Sequence, residues 1–284
     1  MQRDKVDNMK FYPVSGNIGA EVSGFDLAKD LEENQVSSIR SALLDHKVLF
    51  FRDQKINEEQ LIAFGKRFGE LNTHPFISGT DKYPEIIKVL TEPNTTANFG
   101  GYWHHDVTFL ENPDMATILH AKEVPDFGGD TLFANQHLAY DSLSDKMKEF
   151  LSGLHAVHDA GLVFAGNGYY SKNSHSIDTK NEEQATTKAI HPVIRTHPET
   201  GSKALFVNYS YTNRIVELSK KESKTLLKFL FDHCTSEEFT CRFRWQKDSI
   251  AMWDNRSVKH YALFDYKGQR RVMHRVTIKG DKPF

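Results

Sequence analysis

In Trp103-His104-His105-Asp106 an imidazole and a carboxylate stand two residues apart, close enough to grip one metal ion from the same side. In an extended segment alternate side chains share a face, so His104 and Asp106 point together while His105 points away. A second imidazole from far along the chain would complete the set. His260, in Trp253-Asp254-Asn255-Arg256-Ser257-Val258-Lys259-His260-Tyr261, is the leading candidate. Two histidines and one carboxylate on one face of an iron leave the opposite positions open for substrate and oxygen. On its own, His-x-Asp fits a hydrogen-bonded strand histidine at least as well as a ligand pair.

A second chemical feature follows His260. In Gln269-Arg270-Arg271-Val272-Met273-His274-Arg275-Val276-Thr277-Ile278, read as a strand, Arg271, Met273 and Arg275 share one face. Two guanidinium groups could then hold two anions in one cavity, because the planar fork of arginine donates paired hydrogen bonds to carboxylate, sulfonate or phosphate. A solvated basic face is the alternative. Other chemistries lack their signatures: there is no His-Glu-x-x-His, no Gly-x-Ser-x-Gly, no phosphate-binding Gly-Lys-Ser/Thr loop and no Gly-x-Gly-x-x-Gly after a strand.

The elements that must position these residues read as a β-rich core with helices around it. Phe11 to Leu27 has the β-branched residues and glycines of short strands and tight turns, and residues 33–46 carry a helical stripe through Val36, Ile39, Leu43 and Leu44. Lys47 to Arg52 follows as a buried strand. Asn57 and Gln60 predict a capping box, for a helix that buries Leu61, Ile62, Phe64 and Phe68 and stops near Gly69. Residues 85–91, 103–110 and 115–122 read as strands. Ser219 and Glu222 cap a helix through Leu226, Leu227, Leu230 and Phe231, after which 239–245, 249–253, 260–264 and 270–278 are strand-like. Residues 164–189 are rich in Asn, Ser, Lys, Gly and Thr, and predict a polar loop or lid without a core face. Nothing alternates regularly enough for a parallel doubly wound sheet.

Composition bounds the partners. At 284 residues, 39% hydrophobic, 26% charged and a net charge of -2, the chain offers no bulk charge for nucleic acid or a membrane surface. Cys234 and Cys241 are too few for a disulfide scaffold and wrongly spaced for a zinc knuckle. Met1 to Lys10 is polar, and no apolar run approaches membrane-spanning length, so a cytoplasmic protein is expected. The 14 histidines do not argue for ligation by number, since His137, His155, His158, His175 and His233 lie among mixed polar residues.

The chain resembles the iron(II)- and 2-oxoglutarate-dependent dioxygenases of the TauD/TfdA family. The resembling residues are Trp103 to Phe109, Gly128-Gly129-Asp130-Thr131-Leu132, Trp253-Asp254-Asn255-Arg256, His260-Tyr261-Ala262 and Gln269 to Arg275. Gly19 to Gly24, Phe68-Gly69-Glu70-Leu71 and Gly280 to Phe284 are similar too, so the likeness spans nearly the whole chain. It implies one domain over 1–284, mainly β with flanking helices, folded as a double-stranded β-helix or jelly roll of the clavaminate synthase-like kind.

By the same resemblance His104, Asp106 and His260 would hold iron, and Thr131 with Arg271 the distal carboxylate of 2-oxoglutarate. Arg275 with His74 would hold the anionic head of the primary substrate, and Trp253 would pack beside the metal. For His74 a satisfied loop histidine before Pro75 is the alternative. The implied chemistry couples oxidative decarboxylation of 2-oxoglutarate to hydroxylation of an aliphatic carbon; with a sulfonate, sulfite and an aldehyde would leave. A dimer or tetramer is expected on resemblance.

Departures from the taurine pattern fall on the substrate side. Ile77 stands where taurine-specific members carry tyrosine, Gly100 where they carry asparagine, Val163 where they carry serine and Tyr211 where they carry phenylalanine. Together with Phe164 these residues are expected to shape the pocket. An ammonium left without partners there would cost about 1–3 kcal/mol per group. Alkyl sulfate esters, aryloxyalkanoates and other small organic acids are therefore alternative substrates. A non-catalytic metal or anion sensor and a metal-dependent hydrolase are rivals of other classes.

Overall fold

The computed structural model describes residues 9–96, 98–165 and 185–284. Its main sheet orders the strands Lys10–Pro13, Ala20–Ser23, Val48–Phe51, Ile250–Asp254, Ala116–Glu123, Arg271–Ile278 and Leu71–Asn72, and Ile87–Thr91 also pairs with Arg271–Ile278. A second sheet orders Thr240–Phe243, Thr131–Asn135 and Val258–Ala262. Pairing is antiparallel apart from Ala20–Ser23 against Val48–Phe51. The chain is mainly β with flanking helices, the jelly-roll class expected.

Strand alternation builds two cores from one sheet. Along Val48–Phe51, Val48 and Phe50 turn toward the second sheet while Leu49 and Phe51 turn toward the helices. Phe50 stacks on Phe243 at 4.0 Å and meets Phe133 at 5.6 Å, closing the space between the sheets. On the other face the helices Glu33–His46 and Glu58–Lys66 bury Val36, Ile39, Leu43, Leu61 and Phe64. Full burial of each such side chain contributes about 1.5–3 kcal/mol.

The helix caps formed as the sequence predicts. Asn57 accepts from the Gln60 backbone at 2.8 Å while the Gln60 side chain accepts from the Asn57 backbone at 2.9 Å. Ser219 and Glu222 reciprocate in the same way before Lys220–His233. The first of these helices ends at Lys66, short of Gly69.

Two expectations need correction. Residues 103–110 are not a strand: His104 forms an isolated bridge with His260, and the chain then turns through Val107, whose φ of 43° lies in the left-handed region that a strand cannot use. The polar segment 164–189 lies largely outside the described residues, but its margins do bury apolar groups. Phe164 closes the short helix Gly161–Phe164 and Ala185 is buried, while Lys188 begins the strand Lys188–Pro192.

Candidate metal centre and cosubstrate cavity

His260 rides on the second sheet, and the Trp103–Asp106 segment is tied to it by two backbone hydrogen bonds. His104 N–H donates to His260 O at 3.1 Å and His260 N–H to His104 O at 2.9 Å. The turn through Val107 then folds Asp106 back onto both rings. One ligand atom from each of His104, Asp106 and His260 falls within a 4.8 Å cluster, and all three residues are buried. Each histidine Nε2 lies 3.6 Å from Asp106 Oδ1.

Hydrogen bonds and burial orient the donor set toward one point. Nδ1 of His104 faces the carbonyl of Tyr102 at 2.7 Å and donates to it, so Nε2 is the nitrogen turned toward the cluster. Burial, then the neighbouring His104, hold the His260 pKa well below its ordinary value, so its ring is neutral. Burial alone would raise Asp106, but Arg275, His260 and His104 more than offset it and keep the carboxyl well below the usual range. Asp106 Oδ2 accepts from Thr117 Oγ1 at 2.6 Å. His105 points away as expected and packs on Phe206 at 4.8 Å.

Beside the cluster, Gly100, His104, Thr131, Trp253, His260, Arg271 and Arg275 line one cavity. The face shared by Arg271, Met273 and Arg275 points into it, as the alternation predicts. Gly100 has φ +81°, a backbone conformation that favours glycine, and lies against the His104 ring. Trp245 Nε1 donates to Thr131 Oγ1 at 2.9 Å, which leaves the Thr131 hydroxyl proton free to donate elsewhere. Arg271 lies 5.9 Å from the Trp245 ring, and its Nε and Nη2 are buried without an acceptor among the described residues. Two orphaned guanidinium donors cost about 1–3 kcal/mol each unless an anion meets them. The cavity thus fits a bidentate carboxylate.

Arg275 Nη2 stands 3.0 Å from Asp106 Oδ1, an ion pair by distance whose angle is not that of a hydrogen bond. His74 is placed differently from the cavity group. Its Nδ1 accepts from the Phe76 backbone at 3.0 Å, and its ring packs against Phe164 at 5.5 Å and Phe109 at 6.2 Å. Ile77, Val163, Phe164 and Tyr211 belong to the same apolar cluster, which reaches the metal site where Tyr211 meets His104 at 6.4 Å.

Residues that sequence reasoning missed complete the surroundings. Thr117, Trp245 and Tyr266 have no motif of their own, and Asn255, inside the resembling stretch Trp253 to Arg256, carried no assigned role. Asp114, buried near Arg275 and hydrogen-bonded by Asn72 Nδ2 at 2.7 Å, is pushed up to about 6 by burial.

Comparison with known proteins agrees with this geometry. The sequence profile described as "Taurine catabolism dioxygenase TauD, TfdA family" matches residues 10–277. An alpha-ketoglutarate-dependent sulfate ester dioxygenase of Pseudomonas putida is 36% identical over 281 residues, covering 96% of this chain and 90% of that protein. An alkylsulfatase of Acinetobacter baylyi is 34% identical over 282 residues, covering 98% and 87%. A taurine dioxygenase structure from Burkholderia xenovorans superposes with a TM-score of 0.82 at 36% identity, over 97% of this chain and 92% of that one. The chain belongs to the TauD/TfdA family of dioxygenases.

Proposed function

We propose that the protein is an iron(II)- and 2-oxoglutarate-dependent dioxygenase hydroxylating an aliphatic carbon of a small anionic substrate, with organosulfonates as the leading class. One observation carries the reading: a buried His104–Asp106–His260 cluster opens onto a cavity in which Arg271 has two unanswered donors. Iron(II) and 2-oxoglutarate, when bound, supply oxygen activation coupled to decarboxylation, giving succinate and carbon dioxide.

The residues of the chain do the positioning. His104 Nε2, His260 Nε2 and Asp106 Oδ1 would hold the iron from one side, and the opposite side would stay open. Arg271 and Thr131 hold the far carboxylate of 2-oxoglutarate. Trp253 and Phe133, whose ring centroids lie 4.6 Å and 6.4 Å from that of His260, exclude water from the metal's flank. Arg275, with His74, orients the anionic head so that the carbon next to it faces the open positions, which is catalysis by positioning.

A sulfate ester is the second reading, favoured by the apolar wall. Ile77, Val163, Phe164 and Tyr211 are buried together and suit an alkyl chain better than an ammonium. Hydroxylation next to sulfur would release sulfite and an aldehyde from a sulfonate; hydroxylation next to the ester oxygen would release sulfate and an aldehyde.

Succinate, sulfite and sulfate measured with iron(II), 2-oxoglutarate, oxygen and a panel of sulfonates, sulfate esters and aryloxyacetates test both readings. Stimulation of succinate formation by a sulfonate with equimolar sulfite is expected. Equimolar sulfate from an ester instead would establish the second reading. No stimulation by any organic anion would overturn the substrate class.

A further inference from the structure

Asp106 is held by a chain of three hydrogen bonds whose direction one side chain dictates. Trp253 Nε1 can only donate, and it reaches Asn255 Oδ1 at 2.9 Å. The Asn255 amide is thereby fixed with its Nδ2 toward Thr117, to which it donates at 2.9 Å. Thr117 Oγ1 has one proton, and with its oxygen accepting from Asn255 that proton goes to Asp106 Oδ2 at 2.6 Å. Donors therefore run one way, from indole to carboxylate.

The fold keeps this chain rigid. Thr117 and Trp253 are register partners on adjacent strands of the main sheet. Asn255 starts the turn that leads to the His260 strand, and its backbone N–H donates to Met115 O at 2.8 Å. Next to it, buried Asp254 is clamped by His197 Nε2 at 3.0 Å and by Arg256 Nε at 2.8 Å. The same turn therefore sets Asn255 and, five residues on, His260.

We propose that Trp253, Asn255 and Thr117 are positioning residues that occupy Asp106 Oδ2, leaving Oδ1 as the single carboxylate oxygen for the metal. This rests on the reading of His104, Asp106 and His260 as iron ligands. Oδ1 is the oxygen that faces both histidines, 3.6 Å from each Nε2. Without the Thr117 donor the carboxylate's terminal torsion is left to the Arg275 pairing on Oδ1 at 3.0 Å, and the oxygen presented to the metal is less firmly fixed. Asn255→Asp tests the direction as well as the contact: its second carboxylate oxygen competes with Asp106 for the one Thr117 proton.

The test is anaerobic titration of the purified full chain with Mn(II) and Co(II) by calorimetry, beside thermal melting of each variant without metal. Thr117→Val and Asn255→Asp are expected to weaken metal binding by about 10–100-fold, while Thr117→Ser, which keeps the hydroxyl, restores affinity close to that of the parent. Thr117→Val or Asn255→Asp binding as tightly as the parent would overturn the proposal, and so would Thr117→Ser binding as weakly as Thr117→Val. Should Thr117→Val not fold, Asn255→Asp, close in volume to the parent, decides alone. Asp106→Ala in the same titration separates the two claims: weak binding there with tight binding in Thr117→Val removes the relay only, whereas undiminished binding in Asp106→Ala removes the ligand assignment itself.

Discussion

Arg275 Nη2 lies 3.0 Å from Asp106 Oδ1, the same oxygen that stands 3.6 Å from the Nε2 atoms of His104 and His260. A buried carboxylate needs compensation, and here a guanidinium provides it. A dication held by His104, Asp106 and His260 would take over that compensation and would leave the guanidinium available to an incoming anion. Charge-assisted hydrogen bonds are worth about 1.5–3 kcal/mol. Arg275→Gln is therefore expected to raise KM for the anionic substrate by about 10–100-fold, with 2-oxoglutarate affinity kept. An unchanged KM would remove Arg275 from substrate binding.

Arg271 carries the complementary prediction. Its two unanswered donors sit beside Thr131 and Trp245, away from the Asp106 ion pair. Arg271→Gln should weaken 2-oxoglutarate binding by about 10–100-fold while metal affinity stays near that of the parent, read by calorimetry. Retained 2-oxoglutarate affinity would place the cosubstrate elsewhere.

Substrate preference should respond to the buried wall. Val163→Ser returns one hydroxyl to a cluster that now holds Ile77, Val163, Phe164 and Tyr211. A recovered partner for a buried ammonium is worth about 1 kcal/mol, or roughly fivefold. The ratio of kcat/KM for taurine to that for an alkyl sulfonate is expected to rise by about that factor. A ratio that does not move would show that Val163 does not face the substrate.

These assignments differ in how much of them the sequence carried. The pairing of His104 with Asp106 and of Arg271 with Arg275 was legible because donor types at short spacing, and a strand's alternation, are local signals, whereas His260 and the role of each residue came from the family resemblance. His104 and Asp106 do converge, but not as strand neighbours, since 103–110 is a bridge followed by a turn at Val107. A positive φ at a β-branched residue has no sequence signal. The caps at Asn57 and Ser219 were readable for the same local reason. Thr117, Trp245 and Asp114 were not, nor was the role of Asn255 within its motif, because each acts through a partner that only the folded sheets bring near: Asn255 reaches Thr117 across 138 residues and Trp245 reaches Thr131 across 114.

Buried histidines away from the metal predict acid sensitivity. His191 donates from Nε2 to the carbonyls of Thr108 at 2.8 Å and Leu110 at 3.0 Å, and burial pushes its pKa down to about 4. The unfolded chain takes up that proton near pH 6.5, whereas the folded chain resists it until about pH 4. Its stabilising contribution is thus present above pH 6.5 and is lost as pH falls through this window, a loss of about 3 kcal/mol. His191→Gln, which can still donate to the carbonyls, should flatten the stability profile between pH 6.5 and 4 in urea melts. An unchanged slope would assign the acid sensitivity to other groups.

If His104, Asp106 and His260 hold an iron at which oxygen and 2-oxoglutarate are consumed together, purified protein with iron(II) and 2-oxoglutarate will take up oxygen. Uptake matched mole for mole by succinate, stimulated by an organic anion and abolished in Asp106→Ala, is expected. Uptake that persists in Asp106→Ala, or turnover of substrate without oxygen, would overturn the iron site.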